Sequence, residues 1–197
     1  MYKYKIFNNI ASEGTNYLIK ENFILNEEEP EALLIRSKVL SEDNFNDELL
    51  CIGRAGAGVN NIPIDIASKK GVVVFNTPGA NANAVKELVL CGLLLSSRGI
   101  IQGNSFAKSL AIEEPSEFNS EIEKEKKNFK GRELYGKTLG VVGLGAIGSM
   151  VAQSADALGM KLVGYDPYIS VDAAWRLPME VQKANSIEEL VGSSDFI

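Results

Sequence analysis

The chain has 197 residues, of which 45% are hydrophobic and 23% charged, with a formal net charge of −6 and an isoelectric point near 4.9. This is the make-up of an ordinary globular protein, with room for one large or two small domains, and it argues against a nucleic-acid surface, which needs clustered positive charge. There is no histidine, and the two cysteines, Cys51 and Cys91, each sit in an apolar run, so a transition-metal site is not expected and both thiols read as small core residues rather than a disulfide.

In chain order, the first part alternates strand-like and helix-like pieces. The N-terminus lacks the long apolar stretch of a secretory signal, so a cytoplasmic protein is the expectation. Lys5 to Ile10 predicts a strand, and Ser12 to Glu21 a short helix capped by Ser12. Ala32 to Ile35 and Leu49 to Gly53 read as further strands. Pro63 to Lys70 predicts a helix with proline in its first turn and Gly71 at its end. Val72 to Phe75 is a β-branched strand running into Asn76-Thr77-Pro78. This βαβ rhythm predicts an α/β fold, a parallel sheet flanked by helices.

A long helix is predicted from Asn83 or Ala84 to about Arg98. Its central run, Leu88 to Leu95, is apolar all round. That predicts a buried helix, between two domains, and the run is too short to span a bilayer. Ser105 to Lys130 is polar and reads as a solvated helix or loop.

The most informative stretch follows. Thr138 to Val142 is a short apolar strand, and Gly143, Gly145 and Gly148 stand at dinucleotide-loop spacing. The first glycine permits the tight turn. The second lets the backbone approach a pyrophosphate, and the third lets helix and strand pack closely. The helix after it carries Ile147, Val151, Ala152, Ala155 and Leu158 on one face, ends at Gly159, and turns its N-terminal dipole toward the phosphates. Met160 to Tyr165 predicts a second strand with Asp166 at its end, 18 positions after Gly148. An acid there accepts hydrogen bonds from ribose hydroxyls and repels a 2′-phosphate, which favours NAD over NADP. The plainer alternative is a βαβ turn with a chance acid. A third strand is expected to begin at Ser194 to Ile197 and to be cut off there, so the chain reads as a fragment of a longer protein.

Five blocks in order over roughly residues 32 to 168 resemble the D-isomer-specific 2-hydroxyacid dehydrogenases, and the branch that acts on a phosphorylated substrate. They are Leu34-Ile-Arg-Ser-Lys38, Ile52-Gly-Arg-Ala-Gly-Ala-Gly-Val-Asn-Asn-Ile62, Val74-Phe-Asn-Thr-Pro-Gly-Ala-Asn81, Phe129 to Gly140, and the segment from the glycine loop to Tyr165-Asp166-Pro167. The resemblance implies a flavodoxin-like substrate domain, residues 1–92, and the first half of a Rossmann NAD-binding domain, residues 93–197. It implies that Arg36 and Ser37 lie near the phosphate and carboxylate end of the substrate, a small phosphorylated 2-hydroxy acid. Ala57 and Gly58 would hold its carboxylate through backbone N–H groups, in keeping with small residues whose amides converge on an anion. Asn81 would line the cleft, and Thr77 would touch the cofactor. Gly143, Gly145, Ala146, Ile147 and Gly148 would hold the pyrophosphate of NAD, and Asp166 the ribose.

Two positions depart from the family pattern: Ala146 stands where arginine is frequent, and Val59-Asn60-Asn61 where Val-Asp-Asn is usual. The resemblance also implies catalytic arginine, glutamate and histidine residues that no position here matches, and a homodimer or homotetramer. Plainer readings stand beside these: Arg36 pairing with a surface acid, Gly53, Gly56 and Gly58 forming only a tight turn, and Thr77 and Asn81 serving only turns. Two other functions fit the same residues. One is a dehydrogenase of the family acting on glyoxylate, hydroxypyruvate or D-lactate, and the other is an NAD-sensing protein without turnover.

Overall fold

The computed structural model describes residues 1–197. They divide into two compact units, Met1–Asn81 and Ala82–Ile197. The expected boundary at 92/93 falls inside a helix of the second unit.

The first unit comprises β1 (Tyr2–Ile6), α1 (Ser12–Lys20), β2 (Phe23–Leu25), β3 (Ala32–Ile35), a 3-10 turn (Glu42–Asn44), β4 (Cys51–Arg54), α2 (Ile64–Lys70) and β5 (Val73–Asn76). Its five strands form one sheet in the order β2-β1-β3-β4-β5, every pair parallel. This is the flavodoxin-like order, in which the direction of winding reverses between β1 and β3. Leu33, Ile35 and Ile52 are fully buried and pack with Leu40, Phe45, Leu49, Ile62, Ala67 and Val72. Removing one methyl group from this core, in Ile52→Val, is expected to cost about 0.5–1.5 kcal/mol, read as a lower urea midpoint at unchanged slope.

Several expectations are corrected here. β1 begins at Tyr2 and stops at Ile6, because Asn8 has φ 72° and turns the chain out of extended geometry. Ser12 is the first helical residue rather than the cap. Ala11 occupies the cap position with no side-chain cap, and the Ser12 hydroxyl donates to Glu13 instead. Strand β2 was not foreseen. Cys51 is half-buried, and burial pushes its thiol pKa up.

The second unit comprises α3 (Ala82–Ser97), α4 (Ile100–Ser109), α5 (Pro115–Glu125), a 3-10 turn (Lys126–Phe129), β6 (Thr138–Val142), α6 (Ala146–Ala157), β7 (Lys161–Tyr165), α7 (Val171–Ala174), β8 (Gln182–Lys183) and α8 (Ile187–Ser193). Strands β6, β7 and β8 lie side by side and parallel. The third strand is therefore Gln182–Lys183, not the segment expected at Ser194 to Ile197. That segment lies along the opposite edge of β6, with Leu139 bridged to Phe196. Gly140 N–H donates to Phe196 O at 2.8 Å. Thr138 N–H donates to the Asp195 carboxylate at 2.9 Å, which holds that carboxyl below its usual pKa.

Helix α3 packs on α6 through Val89, Leu90 and the buried Leu93. It is not buried all round as expected: Leu88 is 71% and Leu94 43% exposed, and Cys91 is exposed as well. One packed neighbour covers one face of a helix, so uniform hydrophobicity along α3 does not translate into uniform burial. The stretch from Ser105 to Lys130 forms the end of α4, then α5 and the 3-10 turn, with the rings of Phe106 and Phe129 5.3 Å apart.

Candidate functional site

In the second unit, the loop between β6 and α6 is shaped by its glycines. Gly143 has φ 87°, a backbone state that residues with a side chain adopt at a cost. Its N–H donates to Tyr165 O at 2.8 Å, tying the loop to the end of β7. Open space surrounds the Cα of both Gly143 and Gly145. A Cβ on Gly148 would lie 1.9 Å from Gly143 O, so the helix approaches the loop as closely as hydrogen alone permits. Helix α6 starts at Ala146 with Gly145 in the cap position, no side-chain cap and no acid in its first turn. Its first N–H groups therefore lack intrahelical partners and face outward with the positive end of the helix dipole. Gly143, Gly145 and Ala146 are exposed, Ile147 is half-buried and Gly148 is buried.

Asp166 closes this arrangement. Its Oδ2 accepts the Leu144 N–H at 2.8 Å, and its Oδ1 accepts the Tyr168 N–H at 2.9 Å. The carboxylate is thus fixed against the glycine loop with lone pairs left over for a ligand. It faces a cavity of about 440 Å³ whose apolar walls include Leu144, Ile169, Leu177 and Val181, with Lys183 as its one cation. An apolar slot beside a fixed carboxylate matches the adenine and ribose of a dinucleotide. The wall residues and the Leu144 tie were not read from the sequence. Leu177 and Val181 lie in irregular chain around α7 and β8, where no periodic pattern marks them.

In the first unit, the candidate substrate residues follow the C-terminal ends of β3, β4 and β5, the edge at which ligands bind in such sheets. Arg36 and Ser37 are exposed and line a hollow of about 470 Å³ with Asn8 and Asn9, which follow β1. The hollow therefore lies at the winding reversal. The Asn8 Oδ1 accepts three consecutive backbone N–H groups, from Arg36 at 3.3 Å, Ser37 at 3.0 Å and Lys38 at 2.8 Å. Asn61, 7% exposed, holds the same loop from its carbonyl side, with Nδ2 donating to Arg36 O at 3.3 Å and Lys38 O at 2.7 Å. Arg54 Nε donates to Arg36 O at 3.1 Å, and its guanidinium lies against Gly56 and Gly58.

Ala57 and Gly58 are oriented by neighbours at the end of β5. Thr77 N–H donates to Gly56 O at 3.0 Å, and Asn76 Nδ2 donates to Ala57 O at 2.7 Å. In a trans peptide the N–H points opposite to the C=O. Tying down these two carbonyls therefore directs the N–H groups of Ala57 and Gly58 away from Thr77 and Asn76. Adjacent outward N–H groups form an anion cradle. Hydrogen bonds thus tie Arg36, Ser37, Ala57 and Thr77 into one network, with Gly58 next to Ala57 beside the Arg54 guanidinium. Asn81, the last residue of the unit, is exposed and outside this bonded cluster. Asn8, Arg54, Asn61 and Asn76 belong to it and were not singled out from the sequence. Their bonds reach across 18 to 30 positions, which no local pattern reveals, although Arg54 is the one cation inside the glycine-rich turn.

A parallel sheet with a glycine loop, an uncapped helix N-terminus and a fixed acid defines a dinucleotide-binding α/β protein. Residues 92–197 match the family described as "D-isomer specific 2-hydroxyacid dehydrogenase, NAD binding domain", and the chain belongs to that family. It is 38% identical over 183 residues to the D-3-phosphoglycerate dehydrogenase of Methanocaldococcus jannaschii, covering 91% of this chain and 32% of the relative. It is 40% identical over 184 residues to that of Rattus norvegicus, again 91% of this chain and 32% of the relative. The chain thus spans about a third of the length of these relatives. Among solved structures, the NAD⁺-bound 3-phosphoglycerate dehydrogenase of Entamoeba histolytica matches with TM-score 0.68 and 26% identity, over 98% of this chain and 60% of that one. No helix is long and apolar enough to cross a membrane.

Proposed function

We propose that this chain holds NAD and substrate for the oxidation of 3-phospho-D-glycerate to 3-phosphooxypyruvate, the first step of serine biosynthesis. The observation that carries this reading is the Asp166 carboxylate fixed to the Leu144 N–H beside the uncapped start of α6. In this reading the N–H groups of Ala146, Ile147 and Gly148 take the pyrophosphate, and Asp166 takes the ribose hydroxyls. Ala146 brings no charge to the phosphates, so the backbone and helix dipole act there without an arginine. The family resemblance assigns Thr77 to the cofactor. The bound nicotinamide supplies hydride acceptance from C2 of the substrate.

The chain's other residues bind and orient. Arg36 and Ser37 offer a guanidinium and a hydroxyl to the phosphate. The N–H groups of Ala57 and Gly58 take the carboxylate, and Asn81 lines the cleft. Two anion sites on one rigid sheet edge hold the substrate at both ends, which is the positional part of catalysis. Proton removal from the C2 hydroxyl needs a general base. The family resemblance assigns it to a histidine, and none occurs among these 197 residues. The working protein is a cytoplasmic homodimer or homotetramer.

Initial rates of NAD reduction by the protein as its own gene encodes it test this reading. 3-Phosphoglycerate should exceed D-glycerate and D-lactate in kcat/KM by at least about 100-fold, since loss of a charge-paired phosphate costs about 3 kcal/mol or more. A preference for the unphosphorylated acids would point to another dehydrogenase of the family. NAD binding without turnover of any of them would point to a sensor.

A further inference from the structure

In the loop carrying Arg36 and Ser37, three backbone N–H groups and two carbonyls are held by two asparagine side chains. The N–H groups of residues 36, 37 and 38 converge on the Asn8 Oδ1, and the carbonyls of residues 36 and 38 receive the Asn61 Nδ2. Three adjacent N–H groups aimed at one point would ordinarily make an anion nest. Here a neutral oxygen of the chain fills it, so an anion in the hollow meets side chains and not this backbone. Asn8 itself stands at φ 72°, a state that asparagine, aspartate and glycine tolerate far better than other residues.

We infer that Asn8, with Asn61 behind it, is a positioning residue that sets the aim of Arg36 and Ser37 at the substrate's phosphate. The inference rests on the phosphoglycerate reading above. Asn8 acts through the loop: its oxygen fixes the peptide planes from which both side chains project, so the phosphate meets a preset pair of donors instead of a mobile loop. That lowers the ordering cost of binding and leaves the hydride step untouched.

Two variants separate this role from backbone strain. Asn8→Gly keeps the left-handed backbone and removes the acceptor, whereas Asn8→Asp keeps both. In the intact protein, N8G should raise KM for 3-phosphoglycerate about tenfold with kcat within about twofold. It should leave the poor rate on D-glycerate unchanged and speed amide hydrogen exchange at Ser37 and Lys38. N8D should keep slow exchange at Ser37 and Lys38, while its added charge beside the phosphate raises KM on its own account, so exchange alone is read from it. The inference is overturned if N8G speeds exchange without moving KM, if N8D speeds exchange as N8G does, or if N8G affects D-glycerate equally. A parent protein showing no preference for the phosphorylated substrate would instead sink the functional reading, and the exchange measurement would still report whether Asn8 holds the loop.

Discussion

Replacing Gly148 with alanine is expected to abolish measurable NAD binding and to lower the thermal midpoint by about 6–12 °C. The added Cβ would lie 1.9 Å from Gly143 O, 3.0 Å from Gly143 C and 3.2 Å from a Val141 methyl. The first two contacts are backbone, so no rotamer change relieves them, and either the helix or the loop must move. Overpacking typically costs about 1–3 kcal/mol, and a backbone clash of this depth sits at or beyond the upper end. Movement of Gly143 also breaks its 2.8 Å bond to Tyr165 O and turns the first N–H groups of α6 away from where the pyrophosphate would lie. Differential scanning calorimetry and an NAD titration read both effects. An alanine variant that melts and binds NAD like the parent would contradict the close approach of α6 to its loop.

Asp166→Ala is expected to weaken NAD binding about 100-fold or more and to erase discrimination against NADP. The change removes the acceptors of ribose hydroxyl hydrogen bonds, each worth about 1.5–3 kcal/mol when the acceptor is charged. It also frees the Leu144 N–H, which now donates to Asp166 at 2.8 Å in a part-buried setting, so the glycine loop loses a strut along with the ribose ligand. With the carboxylate gone, Lys183 remains as the one cation lining the cavity, and a 2′-phosphate no longer meets a like charge. Asp166→Asn separates the two roles. The amide oxygen still accepts one N–H, so the loop should hold and the melting temperature should recover most of its loss, while NAD affinity recovers only in part. Fluorescence titrations with both cofactors measure the ratio, and an alanine variant that keeps NAD affinity within about threefold would remove Asp166 from the site.

How much of this was legible beforehand differs along the chain. Strand Thr138–Val142 was read to the residue, because a valine-rich run bounded by glycines has few other readings. The α/β class and the parallel first sheet followed from the alternation of short apolar runs with helix-like segments. The third strand of the second unit was misplaced because Gln182–Lys183 is only two residues long and polar, while Asp195-Phe196-Ile197 looks like a strand and lies on the other edge. Strand β2, Phe23–Leu25, is apolar but only three residues long, too short for a periodic pattern to mark it. Helix α3 shows the converse limit: composition reports how apolar a helix is and not how many neighbours cover it, so Leu88 and Leu94 were expected inside and are exposed.

The candidate site divides in a similar way. Gly143, Gly145 and Gly148 stand out because their spacing is local. Asn8 and Asn61 do not, since their meaning lies in bonds to residues 36–38, 23 to 30 positions away. In the sequence they are two polar residues in two turns. Only the fold shows that one holds the loop by its N–H groups and the other by its carbonyls. The Arg54 guanidinium over Gly56 and Gly58 likewise depends on the path of the chain between β4 and α2.

The central claim is that the loop from Gly143 to Gly148, closed by Asp166, is an NAD site. Calorimetric titration of the protein with NAD and with NADP, in the same buffer and salt, tests it most directly. The account predicts one NAD per chain and at least about tenfold weaker binding of NADP, a difference of about 1.4 kcal/mol. Equal affinity for the two, or no binding of NAD, would contradict it.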